Sequence, residues 1–283
     1  MPIHLEEFRP HAAVAPHVEL YWRGAFDPAQ EAMLTQRVVP NGYVELIVHL
    51  GDAHCMLWKD GAWGRSPMHT LIGLYSEPYE VRFTRRVDVF GIRFKPEGWQ
   101  PMIGLAASDL IAGHGDIADV MGAAHADLCE RIREARDTMA MIDAADGWFL
   151  RRIAGLPAQR DYVHQAAELI RRAPSNVRIE DLPGLVCIGQ RQLERAFKQR
   201  VGVTPKQYQR MQRLNRVNRL LLQGRRMDLT QVALACGYFD QAHFIREFRT
   251  FIGERPGRFL RERDNYIVIP NAAYERDLPH EPL

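Results

Sequence analysis

The sequence predicts an α+β chain in two parts. A small β-rich sheet or barrel with helices after it occupies residues 1–155. An all-α domain of two helix-turn-helix units joined by a long helix occupies residues 156–265, with a tail over 266–283. Three observations predict this division. Hydrophobic periodicity changes from about two residues to about 3.6 near position 116. Charge is unevenly shared: residues 1–155 carry 15 Lys and Arg against 21 Asp and Glu, whereas residues 156–265 carry 21 against 11. Six positions of the basic part recur at a fixed offset of 51.

From Tyr43 to Leu50 the even positions Val44, Leu46, Val48 and Leu50 are apolar and the odd ones mixed, which predicts a strand with one buried face, ended by Gly51-Asp52. Val81-Arg82-Phe83 leads through Arg85-Arg86 into Val87–Phe94. That strand stops at Lys95-Pro96, because proline cannot donate to a central ladder. Ile117, Met121, Ala124, Leu128 and Ile132 recur at helical spacing and predict one amphipathic helix. Its stripe has two readings: pairing in a homodimer, which is favoured, or packing on its own sheet. A further helix from Thr138 to about Ala154 ends at Gly155-Leu156-Pro157, the predicted domain boundary.

Composition narrows the function classes. With 283 residues, 46% of them hydrophobic, the chain is too apolar for disorder. No apolar run approaches the roughly 18 to 20 residues of a membrane helix, and the start, MPIHLEEFRPH, is acidic, so no membrane partner and a cytoplasmic location are expected. Cys55, Cys129, Cys187 and Cys236 make no C-x-x-C pair, which argues for a reducing compartment and against structural zinc. No H-x-H or H-x-x-x-H spacing, G-x-S-x-G elbow or phosphate loop occurs, so no metal, no cofactor and no catalytic residue are expected.

The repeat is the strongest signal. Leu193, Arg195, Phe197, Gly202, Pro205 and Tyr208 are matched by Phe244, Arg246, Phe248, Gly253, Pro256 and Phe259. In the second copy Asp228 or Thr230 caps a helix through Val232, Ala233 and Ala235. Gly237 then supplies a turn, and a helix capped near Asp240 buries Phe244, Phe248 and Phe251. In the first copy a helix from near Gly189 buries Leu193, Ala196 and Phe197 and presents Arg191, Glu194, Arg195 and Lys198 on its other face. An excess of positive charge on such a fold is the footprint of a polyanion binder.

The run Val232-Ala233-Leu234-Ala235-Cys236-Gly237-Tyr238-Phe239-Asp240-Gln241-Ala242-His243-Phe244-Ile245-Arg246-Glu247-Phe248, with Gly253 and Pro256 beyond, resembles the signature of the AraC/XylS transcriptional regulators. The resemblance covers residues 163–262. It implies that two second helices enter neighbouring major grooves of double-stranded DNA, joined by a helix from Pro205 to about Gln223 with Tyr208, Met211, Leu214, Val217 and Leu221 inward. It places the DNA-binding positions on Gln190, Arg191, Glu194 and Arg195 in the first unit, with Lys198 beside them, and on Gln241, Ala242, His243, Ile245 and Arg246 in the second. Arginine pairs with guanine and glutamine with adenine. Arg195 and Arg246 are equivalent in the repeat, so one of them serves phosphate positioning in one reading. Ala242 and Ile245 either meet thymine methyls or pack on the joining helix. The first unit departs from the family at Pro183, Cys187 and Gly189, which predicts a helix starting at or just before Leu182, capped by Asp181, in the less rigid unit.

Val38-Val39-Pro40-Asn41-Gly42-Tyr43-Val44-Glu45-Leu46-Ile47 and Gly91-Ile92-Arg93-Phe94-Lys95-Pro96 resemble a poorly characterised amino-terminal domain of some such regulators. The resemblance implies an effector-binding or dimerisation role and names no ligand. Tyr21, Trp22, Trp58, Trp63 and Trp99 are candidates to line an apolar pocket, with Arg93 for an anionic group. A small-molecule effector, RNA polymerase and a homodimer are the further partners left open. The alternative is an enzyme or sensor domain fused to a DNA-targeting module, such as a repair protein, which needs a cysteine in an activating setting.

Overall fold

A computed structural model of the chain describes residues 3–28, 33–59, 61–105, 114–121, 123–155, 161–222 and 228–268. Nine strands come first: β1 (Ile3–Phe8), β2 (Val18–Phe26), β3 (Leu34–Val38), β4 (Val44–His49), β5 (Cys55–Lys59), β6 (Ala62–Arg65), β7 (His69–Ile72), β8 (Tyr79–Phe83) and β9 (Val87–Phe94). Helix α1 (Pro96–Ile103), strand β10 (His114–Asp116) and helices α2 (Ile117–Met121), α3 (Ala123–Glu134) and α4 (Thr138–Ile153) complete the first part. The second comprises α5 (Tyr162–Arg172), α6 (Leu182–Leu185), α7 (Gln190–Val201), α8 (Pro205–Leu222), α9 (Leu229–Ala235), α10 (Gln241–Ile252) and α11 (Pro256–Arg261), followed by strand β11 (Tyr266–Ile267).

The strands form two sheets, in the orders β1-β2-β9-β4-β7-β10 and β11-β3-β8-β5-β6. Leu20, Trp22, Val87 and Val89 of the first face Val38, Leu57, Val81 and Phe83 of the second in one apolar layer. The other face of the first sheet, with Leu46, Val48, Phe90, Ile92 and Phe94, packs on the helices. Strand β4 was expected to bury one face. It buries both, because helices cover one side and the second sheet the other, and its polar residues Glu45 and His49 are 3% and 2% exposed. Gly91 is required where Trp22 crosses β9, since a Cβ there would stand 1.9 Å from the indole.

Two further expectations are corrected. The helix read from Ile117 to Ile132 is described as helix on both sides of residue 122, over α2 and α3, and residue 122 itself lies outside the described residues. Ile117, Leu128 and Ile132 are buried in the chain's own core, so this part of the stripe is spent on the sheet and on α4 and does not form a homodimer seam. The side chains of Met121 and Ala124 lie outside the described residues, as do Leu156 and Pro157 of the predicted boundary and Gln223 at the end of the joining helix. The segment read as a tail begins with a structured element: β11 runs parallel to β3, Tyr266 opposite Arg37 and Ile267 opposite Val38.

Polar contacts between the parts among the described residues include two that are largely shielded from water. Glu97 of α1 and Arg171 of α5 stand 2.7 Å apart, with side chains 0% and 2% exposed, off hydrogen-bond alignment but fully shielded from water. Asn215 of α8 donates its side-chain amide to the carbonyl of Asn41, just before β4.

Candidate nucleic-acid interface

Each helix-turn-helix unit is built from local instructions. Asp228 caps α9 in a capping box with Gln231, which settles the choice between Asp228 and Thr230. Gly237 takes φ +73°, and the Asp240 side chain accepts from the His243 amide at 2.6 Å to start α10. In the first unit α6 begins at Leu182 as expected, but the Asp181 side chain makes no cap hydrogen bond and the helix lasts four residues. Its turn depends on Cys187, the one non-glycine residue with positive φ among those described, at 55°. From that residue the second helix starts at Gln190, whereas from Gly237 it starts at Gln241, so the first turn is one residue shorter. Gly202 and Gly253 close α7 and α10 in the left-handed region, in register with the repeat.

The buried and exposed faces separate cleanly. Helix α7 buries Leu193, Phe197 and Val201, while Gln190, Arg191, Glu194, Arg195 and Lys198 are all exposed. Gln190 donates to Glu194 at 3.1 Å along that face. Helix α10 buries Phe244, Phe248, Phe251 and Ile252 and exposes Gln241, Ala242 and Arg246. Ile245 is half-buried against the core, which favours packing over a thymine contact for that residue. His243 is also half-buried: its Nε2 lies 3.3 Å from Glu247, and its ring meets Tyr238 edge-on. The joining helix buries Tyr208, Met211, Leu214 and Val217.

Glu247 is a buried charge to which sequence reasoning gave no place. Its carboxylate, 5% exposed, accepts from Arg210 Nε at 3.1 Å and lies 3.8 Å from Arg213, so it ties α10 to α8. Its repeat partner is Ala196, and a charge at a position whose equivalent is apolar was the available signal.

The effector candidates do not converge. Trp22 lines an apolar cavity between the sheets. Arg93 is fully buried and donates from Nε to Glu45 at 2.7 Å, a carboxylate that also accepts from Trp22 and Asn41, while its Nη1 and Nη2 have no hydrogen-bond partner among the described residues. Trp99 lies on the opposite face of the sheet against Phe94, and Trp58 is 41% exposed beside Trp63. Burial pushes the thiols of Cys129 and Cys236 up to about 12 and raises that of Cys55, the reverse of what a reactive cysteine requires. No helix among the described residues is long and apolar enough to cross a membrane.

Comparison with known proteins finds matches on two separate stretches of the chain. Residues 185–262 match the family described as a helix-turn-helix domain, and residues 6–116 match one described as a domain of unknown function, DUF6597. The HTH-type transcriptional regulator ArgR of Pseudomonas aeruginosa is 41% identical over 71 residues, 25% of this chain and 21% of that protein. The arabinose operon regulatory protein of Escherichia coli K12 is 28% identical over 118 residues, 40% of each chain. Among solved structures, a probable AraC family transcriptional regulator from Rhodopseudomonas palustris CGA009 is 31% identical with a TM-score of 0.33, covering 35% of this chain and 94% of that one. The chain spans about a fifth to two fifths of the length of the curated relatives it matches.

Proposed function

The chain belongs, through its carboxyl-terminal helix-turn-helix part, to the AraC/XylS family, and from that premise we propose that it is a sequence-specific DNA-binding transcription regulator. Helices α7 and α10 are its two readers, entering adjacent major grooves roughly 34 Å apart on one face of the duplex. One observation carries this reading: each helix sinks an apolar anchor, Leu193 or Phe244, and leaves a polar, net basic face exposed on the other side. Arg191 and Arg195 are the base readers of the first unit, with Lys198 on phosphate; Gln241 and Arg246 lead in the second. Ala242, exposed, is the apolar contact for a thymine methyl. His243 and Ile245 orient α10 more than they read bases.

Modulation belongs to the amino-terminal part, because its contacts through Glu97 and Asn41 constrain where the readers lie. An effector shifts that placement only by binding the two arrangements unequally. RNA polymerase is the partner expected of an activator, and a homodimer, if formed, uses a surface other than the buried residues of the α2–α3 stripe.

Selection of bound duplexes from a random pool, followed by anisotropy titration across salt, tests the reading. Arg191→Ala should cost about 1 to 3 kcal/mol on the selected site and relax one base pair, whereas Lys198→Ala should weaken all sequences alike and lower the salt slope by about 1. Equal affinity for selected and random duplexes would overturn it.

A further inference from the structure

The cavity between the two sheets holds about 60 Å³ and is lined by apolar side chains together with His49, Cys55, Ser66 and Thr70, with no charged residue among them. His49 is 2% exposed. Its Nε2 lies 3.4 Å from Ser66 Oγ, which in turn lies 2.8 Å from Thr70 Oγ1, while its Nδ1 has no hydrogen-bond partner. A buried polar atom left without a partner costs about 1 to 3 kcal/mol, so a group that satisfies Nδ1 is favoured there. Burial and the neighbouring His69 and His54 lower the His49 pKa to about 4, so the ring is neutral at physiological pH and suits an uncharged partner. A charged ligand would surrender its hydration with no counter-charge on the lining.

Size sets the second constraint. A dry engineered cavity of about 150 Å³ holds benzene, so this one admits a metabolite-sized molecule only if a wall moves. The lining strands β2, β3, β4, β5, β7, β8 and β9 are each paired on both sides. Ile267 comes from β11, a two-residue strand at a sheet edge, held to Val39 by one backbone bond of 3.1 Å outside its pairing with β3. It is the least constrained strand of the lining. It is also the strand attached to the second reader: Tyr266 packs on Phe259 at 4.8 Å, Phe259 on Phe248 at 5.4 Å, and Phe248 on Phe244, the anchor of α10, at 5.7 Å.

We propose that this cavity is a binding site for an uncharged, mainly apolar molecule carrying one hydrogen-bonding group, and that the ligand enters by displacing β11, which loosens the tether on the second helix-turn-helix unit. The regulatory half of the proposal rests on the DNA-binding reading above; the site itself does not. Occupancy then reaches α10 through the ring contacts and no other change in the first unit is required.

The test uses the full chain with 2-naphthol as the probe and naphthalene-2-carboxylate as its anionic counterpart. Fluorescence titration should show 2-naphthol binding, with the carboxylate weaker by roughly tenfold or more. Ile267→Ala, which opens the wall without touching the polar patch, should tighten binding. His49→Phe should weaken it by roughly fivefold or more, as one lost hydrogen bond implies. In the wild-type chain, saturating 2-naphthol should speed amide exchange at Val39 and 266–267 and change duplex affinity. Absence of 2-naphthol binding, equal binding of the carboxylate, or unchanged exchange at Val39 in the saturated protein would each overturn the proposal. Sequence-specific duplex binding without 2-naphthol binding removes this inference alone; 2-naphthol binding without specific duplex binding leaves the site and removes the regulator.

Discussion

Cys187 shows how one backbone angle records the divergence of two copies. Its φ of 55° lies in the left-handed region, where an L-residue with a Cβ is disfavoured by about 1 to 2 kcal/mol, while the second copy has glycine at the corresponding turn. Cys187→Gly should therefore stabilise the chain by about 1 kcal/mol in urea unfolding. A neutral or destabilising result would mean that the thiol's contact with the Gly184 carbonyl, 3.8 Å away, matters more than the angle. His49 provides a second test at this scale. Its pKa falls from 6.5 to about 4 on folding, so the unfolded chain binds more protons between those values. Stability is complete above pH 6.5 and declines as pH falls toward 4, by about 3 kcal/mol from this residue. Unfolding midpoints measured across that window should drop more steeply for the wild type than for His49→Phe. A parallel drop in both would assign the effect elsewhere, with His17, lowered likewise to about 4 mainly by burial, the next group to examine.

Among elements, the two short helices α6 and α9 contrast most. Helix α9 runs seven residues from a complete capping box; α6 runs four with no side-chain cap. Asp228→Ala should cost about 1 kcal/mol, and Asp181→Ala close to nothing, by the same unfolding assay. Equal losses would refute the difference in capping. The same contrast explains what could be read in advance. Caps, turn glycines and aromatic anchors act within a few residues, so the second unit, the joining helix and strands β4 and β9 were legible from spacing alone. The Glu45–Arg93 pair and the docking of β11 were not. Glu45 and Arg93 meet because β4 and β9 lie side by side, a neighbour relation that no local pattern encodes. Arg93 was singled out for an anionic ligand, and it does hold a carboxylate, but one from its own sheet. Reading-face residues were legible as exposed charge; that His243 turns inward to Glu247 depended on where α8 would lie.

At the scale of the whole molecule, the pair Glu97–Arg171 decides whether the amino-terminal part and the first reading unit move as one body. Arg171 donates to Tyr208 of the joining helix at 3.0 Å as well as facing Glu97 at 2.7 Å, so a single guanidinium links α1, α5 and α8. Burying two charges is repaid only while both are present. Removing one leaves the other unneutralised in a low-dielectric site, at a cost of about 3 to 5 kcal/mol, while replacing both with apolar residues is often neutral. Glu97→Gln should therefore destabilise the full chain severely, and Glu97→Leu combined with Arg171→Met should recover most of the loss. Amide exchange in α5 distinguishes a staple between the parts from simple core packing. If the pair is the staple, the double variant regains global stability yet exchanges faster in α5 than the wild type, because α1 no longer holds it. If Glu97→Gln instead costs under about 1 kcal/mol, the ion pair contributes little and the first reader is positioned by the apolar contacts of α1 with α5 and α7 alone.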